Sequence, residues 1–248
     1  MDTRILFVAA LGWEARAISS QINKLDEVAH GESRLFRGAA ASAEIAVMQT
    51  GIGPERAARA ISWAGEIVAP SVVIVTGCAG ALVPGLATGE MVVADEIVTP
   101  AEATRDASAR WVERCLRACR AARGVRRGRL LVSSSVLVNA EEKRRAAAET
   151  RSIAVAMEDG VVAAWAAARG LEFASVRVVL DGAETAIPEE ILAMAGARGN
   201  VLPGRVLAAV ARRPRLIVEL LKLGAAQRLC RRTLELVHRR LLDDLRAP

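Results

Sequence analysis

At 248 residues the chain is long enough for one large domain or two small ones, and for a substantial core. Hydrophobic residues make up 52 % but aromatics only 3 %, so that core must be built from Ala, Val, Leu and Ile. The formal charge is +6, yet residues 205–248 carry 11 basic and 4 acidic side chains, a net of +7, which leaves the rest at −1. A nucleic-acid surface is thereby excluded from the body, and the basic tail lacks the interleaved aromatics that such binding uses.

Taken in order, strand-like and helix-like runs alternate, which predicts an α/β fold with a mixed central sheet flanked by helices. Arg4–Ala10 reads as a buried strand and Trp13–Asn23 as a helix. Ser33–Arg37 and Ala43–Gln49 read as paired strands, and Pro54–Ile67 as a helix with proline near its start, where a missing N–H costs little. The β-branched run Ser71–Thr76 suits a central strand and is followed by glycines, then by a strand over Met91–Thr99. Helices are predicted over Trp111–Arg123, Glu141–Thr150 and Gly160–Arg169, and strands over Gly128–Val132, Ile153–Ala156 and Phe173–Leu180. The remainder reads as helical. Residues 1–202 are assigned to a single α/β domain and 203–248 to a basic amphipathic helical extension packed on it. The stripe Leu216, Leu220, Leu223, Ala226, Cys230, Leu234, Val237, Leu241, Leu245 recurs at three- or four-residue steps. Its basic flank would pack with a solvated face or lie on an acidic membrane surface.

The amino terminus is apolar only briefly before Glu14 and Arg16, too short for a signal peptide. No stretch approaches the roughly 20 uncharged residues of a membrane span. Cys78, Cys115, Cys119 and Cys230 lack metal-ligand spacing, since Cys115 and Cys119 have no further ligand nearby. Free thiols in a reducing cytoplasm, and no metal, are the expectation.

In α/β sheets, chemistry collects at the C-terminal ends of strands. Three carboxylates stand at such ends: Glu14, Glu158 and Asp181. Each alone could be a helix cap. Together they fit glycosidic cleavage, which needs one group to protonate the leaving group, one to handle the nucleophile and one to hold the sugar.

The order Gly51-Ile52-Gly53, Thr76-Gly77-Cys78-Ala79-Gly80-Ala81-Leu82 with Gly89-Glu90-Met91-Val92-Val93 behind it, Val155-Ala156-Met157-Glu158, and Val176-Arg177-Val178-Val179-Leu180-Asp181 resembles the purine nucleoside phosphorylase and nucleosidase superfamily. The branch nearest in motif style is that of the methylthioadenosine/S-adenosylhomocysteine nucleosidases. The resemblance implies that Glu14 activates the attacking water and Asp181 protonates N7 of the purine. It implies that Met157 and Glu158 meet the ribose, that Cys78, Ala79 and Gly80 lie along base and sugar, and that backbone near Leu137 and Val138 meets the adenine edge. It implies no metal or organic cofactor, a purine nucleoside as ligand, and a homodimer or larger homo-oligomer. The nucleosidases usually place Phe where Leu137 stands. Phosphorylases carry an Arg before the glycine turn, where this chain has Val75-Thr76; that favours water, with phosphate left open as co-substrate on Arg56 or Arg177.

The segment from Asp181 to Pro188, followed by a long Leu/Ala/Arg helix, also resembles the hopanoid-associated phosphorylases. That branch implies adenine release from a nucleoside with a bulky 5′ substituent, such as adenosylhopane, by an enzyme peripheral to the inner face of the membrane. Two alternatives remain: an ordinary methylthioadenosine/S-adenosylhomocysteine nucleosidase, and a non-catalytic nucleoside-binding protein of the same fold. The last would be favoured if Glu14 and Asp181 did not converge on one pocket.

Overall fold

The computed structural model describes residues 3–40, 43–100, 102–188, 190, 213 and 216–245. The strands are β1 (Arg4–Ala9), β2 (Asn23–His30), β3 (Ser33–Ala40), β4 (Ala43–Gln49), β5 (Val72–Ala81), β6 (Met91–Val98), β7 (Arg105–Asp106), β8 (Val125–Val132), β9 (Ala154–Ala156) and β10 (Glu172–Asp181). The helices are α1 (Gly12–Ser19), α2 (Pro54–Ile67), α3 (Ala109–Cys119), α4 (Ala140–Thr150), α5 (Asp159–Ala167) and α6 (Leu216–Asp244). The mixed sheet runs β10-β6-β8-β9-β5-β1-β4-β3-β2, with β7 beside β6. β10 also pairs in parallel with β5, so β5, β10, β6, β8 and β9 close into a ring while β1 to β4 extend from it as an open wing. Closure removes free edges.

Alternation along the central strands divides the core between the two faces of the sheet. Ile5, Phe7, Val72, Ile74, Val176 and Val178 point to one face, where α1, α3 and α6 cover them. Leu6, Val8, Val73, Val75 and Val179 point to the other, under α2 and α5. This period-two burial on both sides explains why these strands read as unbroken apolar runs. With few aromatics, small side chains set the spacing: Ala60 and Ala64 of α2, and Ala163 and Ala166 of α5, are buried.

α6 has two regimes. From Cys230 onward its stripe is core: Cys230, Leu234, Val237 and Leu241 are fully buried among α1 and α3 residues. His238 is buried with them, its Nε2 2.9 Å from Thr76 Oγ1, and burial pushes its pKa down to about 3, so it stays neutral. Toward its start Leu216 is buried as well, but Ile217, Val218 and Leu221 are exposed. The boundary expected at 202/203 lies outside the described residues.

Several elements differ from expectation. The helix expected over Trp13–Asn23 stops at Ser19, and Asn23–His30 is a strand. This segment carries charges throughout and earns its place only by antiparallel pairing with β3. The short β7 was not foreseen. β5 does not end at Thr76 but continues through the glycines to Ala81, because β10 pairs with it as far as Gly80. Residues 182–188 are turn and irregular backbone rather than helix.

Leu234→Ala should cost about 2–5 kcal/mol of unfolding free energy by urea denaturation. Leu221→Ala, at an exposed position of the same helix, should change it by less than about 0.5 kcal/mol. Equal effects would contradict the division of α6.

Candidate active site

Glu14 is held at the mouth of α1. One carboxylate oxygen accepts the N–H of Leu11 (2.9 Å) and the other accepts the N–H of Cys78 on β5 (2.8 Å). The first closes the helix start in the manner of a capping box, and the second ties α1 to the central strand. Glu14 is 2 % exposed, and burial raises its pKa to about 7 against the opposing pull of both N–H groups and Arg177. This leaves it poised between acid and base near neutrality. The approach depends on Gly77, whose φ of +135° suits glycine and where a Cβ would come within 2.7 Å of the Glu14 carboxyl carbon.

Glu158 precedes α5. Its carboxylate accepts the N–H of Gly53 (2.9 Å) and lies 3.8 Å from Arg177 Nη2. Burial raises its pKa, partly offset by Arg177 and the Gly53 N–H. Arg177, 2 % exposed, also pairs with buried Asp159 and donates from Nη1 to the Cys78 carbonyl (3.3 Å); Ser175 Oγ donates to Asp159 (2.6 Å). Arg177 Nε has no partner among the described residues.

Asp181 ends β10, just past a register irregularity after Val179 that re-aims the strand end. It faces Gly80, where a Cβ would stand 3.2 Å from its Oδ2. Lys143 Nζ donates to that oxygen at 2.5 Å. Desolvation raises the Asp181 pKa, and the lysine opposes it.

These groups line one cavity of about 320 Å³. Glu14, Cys78, Ala79, Gly80, Leu137, Met157, Glu158 and Asp181 all contribute to its wall. Val138 is not among the lining residues; its N–H is taken by Glu142 and its carbonyl accepts the Ile187 N–H. Arg56, a candidate phosphate holder, pairs instead with Glu32 (3.1 Å). Sequence reasoning missed Lys143, which in the run Glu141-Glu142-Lys143 has the signature of a surface helix, and missed the wall supplied by Leu220, Leu223 and Gln227 of α6. Among the described residues no group of three or more His, Cys, Asp or Glu could hold a metal ion.

The wall is mostly apolar, and its charges are carboxylates countered by Arg177 and Lys143. Such a pocket suits a ligand that gains positive charge as it reacts. Gly77→Ala should lower the thermal midpoint by about 5–10 °C, through strain and contact with Glu14. Gly80→Ala, with its looser contact, should lower it less, as differential scanning fluorimetry can read.

The family model of the Phosphorylase superfamily matches residues 4–211. The 5′-methylthioadenosine/S-adenosylhomocysteine nucleosidase of Listeria monocytogenes is 28% identical over 90 residues, 36% of this chain and 39% of that one. That of Aeromonas salmonicida is 33% identical over 94 residues, 38% of this chain and 41% of that one. The matched segment thus spans about two fifths of these relatives' length. Among solved structures, the nucleosidase of Neisseria meningitidis in complex with methylthio-immucillin-A has a TM-score of 0.77 at 18% identity, covering 98% of this chain and 99% of that one. The S-adenosylhomocysteine nucleosidase of Streptococcus pyogenes in complex with 5-methylthiotubericidin has a TM-score of 0.68 at 21% identity, covering 74% of this chain and 85% of that one. The mixed α/β fold is the one these nucleosidases adopt, and by the match over residues 4–211 the chain belongs to the Phosphorylase superfamily.

Proposed function

We propose that the protein hydrolyses the N-glycosidic bond of an adenine nucleoside with a bulky apolar 5′ substituent. The observation that carries this reading is the convergence of Glu14, Glu158 and Asp181 on one largely apolar cavity. In this reading Glu158 holds the ribose hydroxyls, with Met157 packed beneath. Asp181 gives a proton to N7 as the C1′–N9 bond breaks, and the bond's electron pair leaves with the base. The sugar becomes oxocarbenium-like, a charge that the surrounding carboxylates stabilise. Water adds at C1′ and loses its proton to Glu14. No metal or organic cofactor enters this chemistry.

Water is favoured over phosphate on electrostatic grounds. The cationic groups of the cavity, Arg177 and Lys143, are engaged by Asp159, Glu158 and Asp181. A phosphate dianion would have to displace those partners while facing Glu14.

The 5′ assignment rests on α6. Leu220, Leu223 and Gln227 wall the cavity, and Ile217, Val218 and Leu221 are exposed on the same stretch of helix. An apolar substituent leaving the ribose would meet Leu220 and Leu223 there, as an adenosylhopane of hopanoid biosynthesis would require. The same exposed residues, with Lys222 and Arg228 near them, suit peripheral contact with the inner face of an anionic membrane. No helix among the described residues is long and apolar enough to cross a membrane. A second reading, methylthioadenosine/S-adenosylhomocysteine nucleosidase, is favoured by the names of the similar proteins. In either case family resemblance supports a homodimer or larger homo-oligomer.

Adenine release from methylthioadenosine and from an adenosine bearing a long 5′ alkyl chain, each with and without phosphate, tests the proposal. Preference for the alkyl substrate without phosphate is expected; preference for methylthioadenosine selects the second reading, and release from neither overturns both. Asp181→Asn should lower turnover by about 100- to 10,000-fold, and a loss under about threefold would remove Asp181 from the donor role. Because Glu14 must be ionised to accept a proton and its pKa is raised to about 7, turnover should climb as pH rises through about 7. Glu14→Gln should abolish that limb and depress kcat more than it raises KM.

A further inference from the structure

Lys143 is a charged side chain with no exposure, and the reaction scheme above gives it no task. It lies in the first turn of α4, whose start is fixed by two reciprocal bonds: the Asn139 side chain accepts the Glu142 N–H (2.8 Å), and Glu142 accepts the Val138 N–H (2.9 Å). Anchored there, the ammonium reaches into the cavity wall and spends all three N–H donors on one short segment. It bonds Asp181 Oδ2 at 2.5 Å, the Gly182 carbonyl at 2.9 Å and the Thr185 carbonyl at 3.0 Å. The turn closes on itself through the Thr185 N–H to the Gly182 carbonyl (3.1 Å).

Three matched acceptors on a fully buried lysine are more than a helix needs in order to pack. A purely structural cross-link could have used the two carbonyls alone. By taking Oδ2, the lysine leaves Oδ1 to carry the proton. We infer that Lys143 is the positioning residue for leaving-base protonation: it aims the Asp181 carboxyl at the base and stabilises the carboxylate left behind when that proton moves.

This rests on the reading of Asp181 as proton donor. The step balances simply. The Oδ1–H bond breaks as N7–H forms, the pair from C1′–N9 goes to the base, and Lys143 keeps its three protons throughout. Negative charge appears on Asp181 as the glycosidic bond breaks, and a fixed cation against Oδ2 is most effective at that moment, in a site shielded from water. Burial by itself makes Asp181 a poor acid, and the lysine moves it back toward giving its proton up. Other titratable or charged groups near Asp181 among the described residues come from several elements. Cys230 contributes a thiol from α6, Glu14, Glu158 and Arg177 line the same cavity, and beyond Gly182 the exposed Arg144 and Glu184 stand 3.6 Å from each other.

The test compares two leaving groups in Lys143→Met, Lys143→Gln and Lys143→Arg, all in the full chain. Adenine must be protonated to leave; nitrophenolate on a β-riboside with the same 5′ substituent need not be. Both neutral variants should lose about 100-fold or more in kcat on the adenine nucleoside yet stay within about threefold on the nitrophenyl riboside. Their alkaline limb, where Asp181 loses its proton, should move up by about one pH unit or more. Lys143→Arg should recover at least about a tenth of the wild-type rate. The nitrophenyl rate also reports whether each variant has folded, and Lys143→Gln keeps a donor for the carbonyls should Lys143→Met not fold. Equal losses on both substrates with an unmoved alkaline limb would make Lys143 a structural strut and overturn the inference. So would an unchanged rate on the adenine nucleoside. Absence of adenine release from the wild type would instead defeat the underlying reading.

Discussion

Arg177 carries a guanidinium into the interior of the sheet, and much of the site is arranged around satisfying it. Removing such a group from water costs several kcal/mol unless anions and acceptors surround it. Asp159 supplies the closest anion and is itself held by Ser175, two residues before Arg177 on β10. Glu158 stands beside it, and the Cys78 carbonyl accepts from β5, while Arg177 Nε has no partner among the described residues. Two adjacent acids can therefore enter the interior at the start of α5 because a cation meets them there. β5, β10 and the turn before α5 are joined by charge as well as by strand pairing.

Within that frame the carboxylates take different characters from their surroundings. Glu14 is sealed but receives two backbone N–H groups, which hold it near neutrality rather than far above it. Asp181 lies further toward the opening and has its own cation in Lys143. Burial pushes all of them the same way, and the differences between them lie in the groups that oppose it. Here they follow from which backbone and which cation each acid reaches. The closed ring of β5, β10, β6, β8 and β9 keeps these reaches short, because Gly77 and Gly80 on β5 let Glu14 and Asp181 approach the strand from different neighbours.

α6 joins this chemistry to the surface. Its second half fills the core beside α1 and α3, and its first half forms part of the cavity wall while exposing apolar side chains. One continuous sequence stripe thus serves two purposes, with Cys230, Leu234, Val237 and Leu241 in the core and Leu220 and Leu223 on the cavity wall.

Unbroken apolar runs and β-branching in Arg4–Ala10, Ser71–Thr76 and Phe173–Leu180 made the central strands legible, since strands buried on both faces must be apolar throughout. Local signals also marked the strand-end positions of Glu14, Glu158 and Asp181, and the glycine-rich turns beside them. The edge strand Asn23–His30 was not legible, because its order comes from pairing with β3 and not from its own residues. Nor was the burial of Lys143 against Asp181, since a lysine in a charged helical turn is locally the same whether it meets solvent or a buried carboxylate. Likewise, the continuation of β5 through its glycines, the occupied backbone of Val138 and the capture of Arg177 by Asp159 depend on partners distant in the chain. Sequence by itself determined which segments would be buried and which strand ends would carry charge, because hydrophobic periodicity and turn chemistry act over a few residues. Which charges face one another was decided only by the tertiary structure, because desolvation and ion pairing depend on groups brought together from far apart.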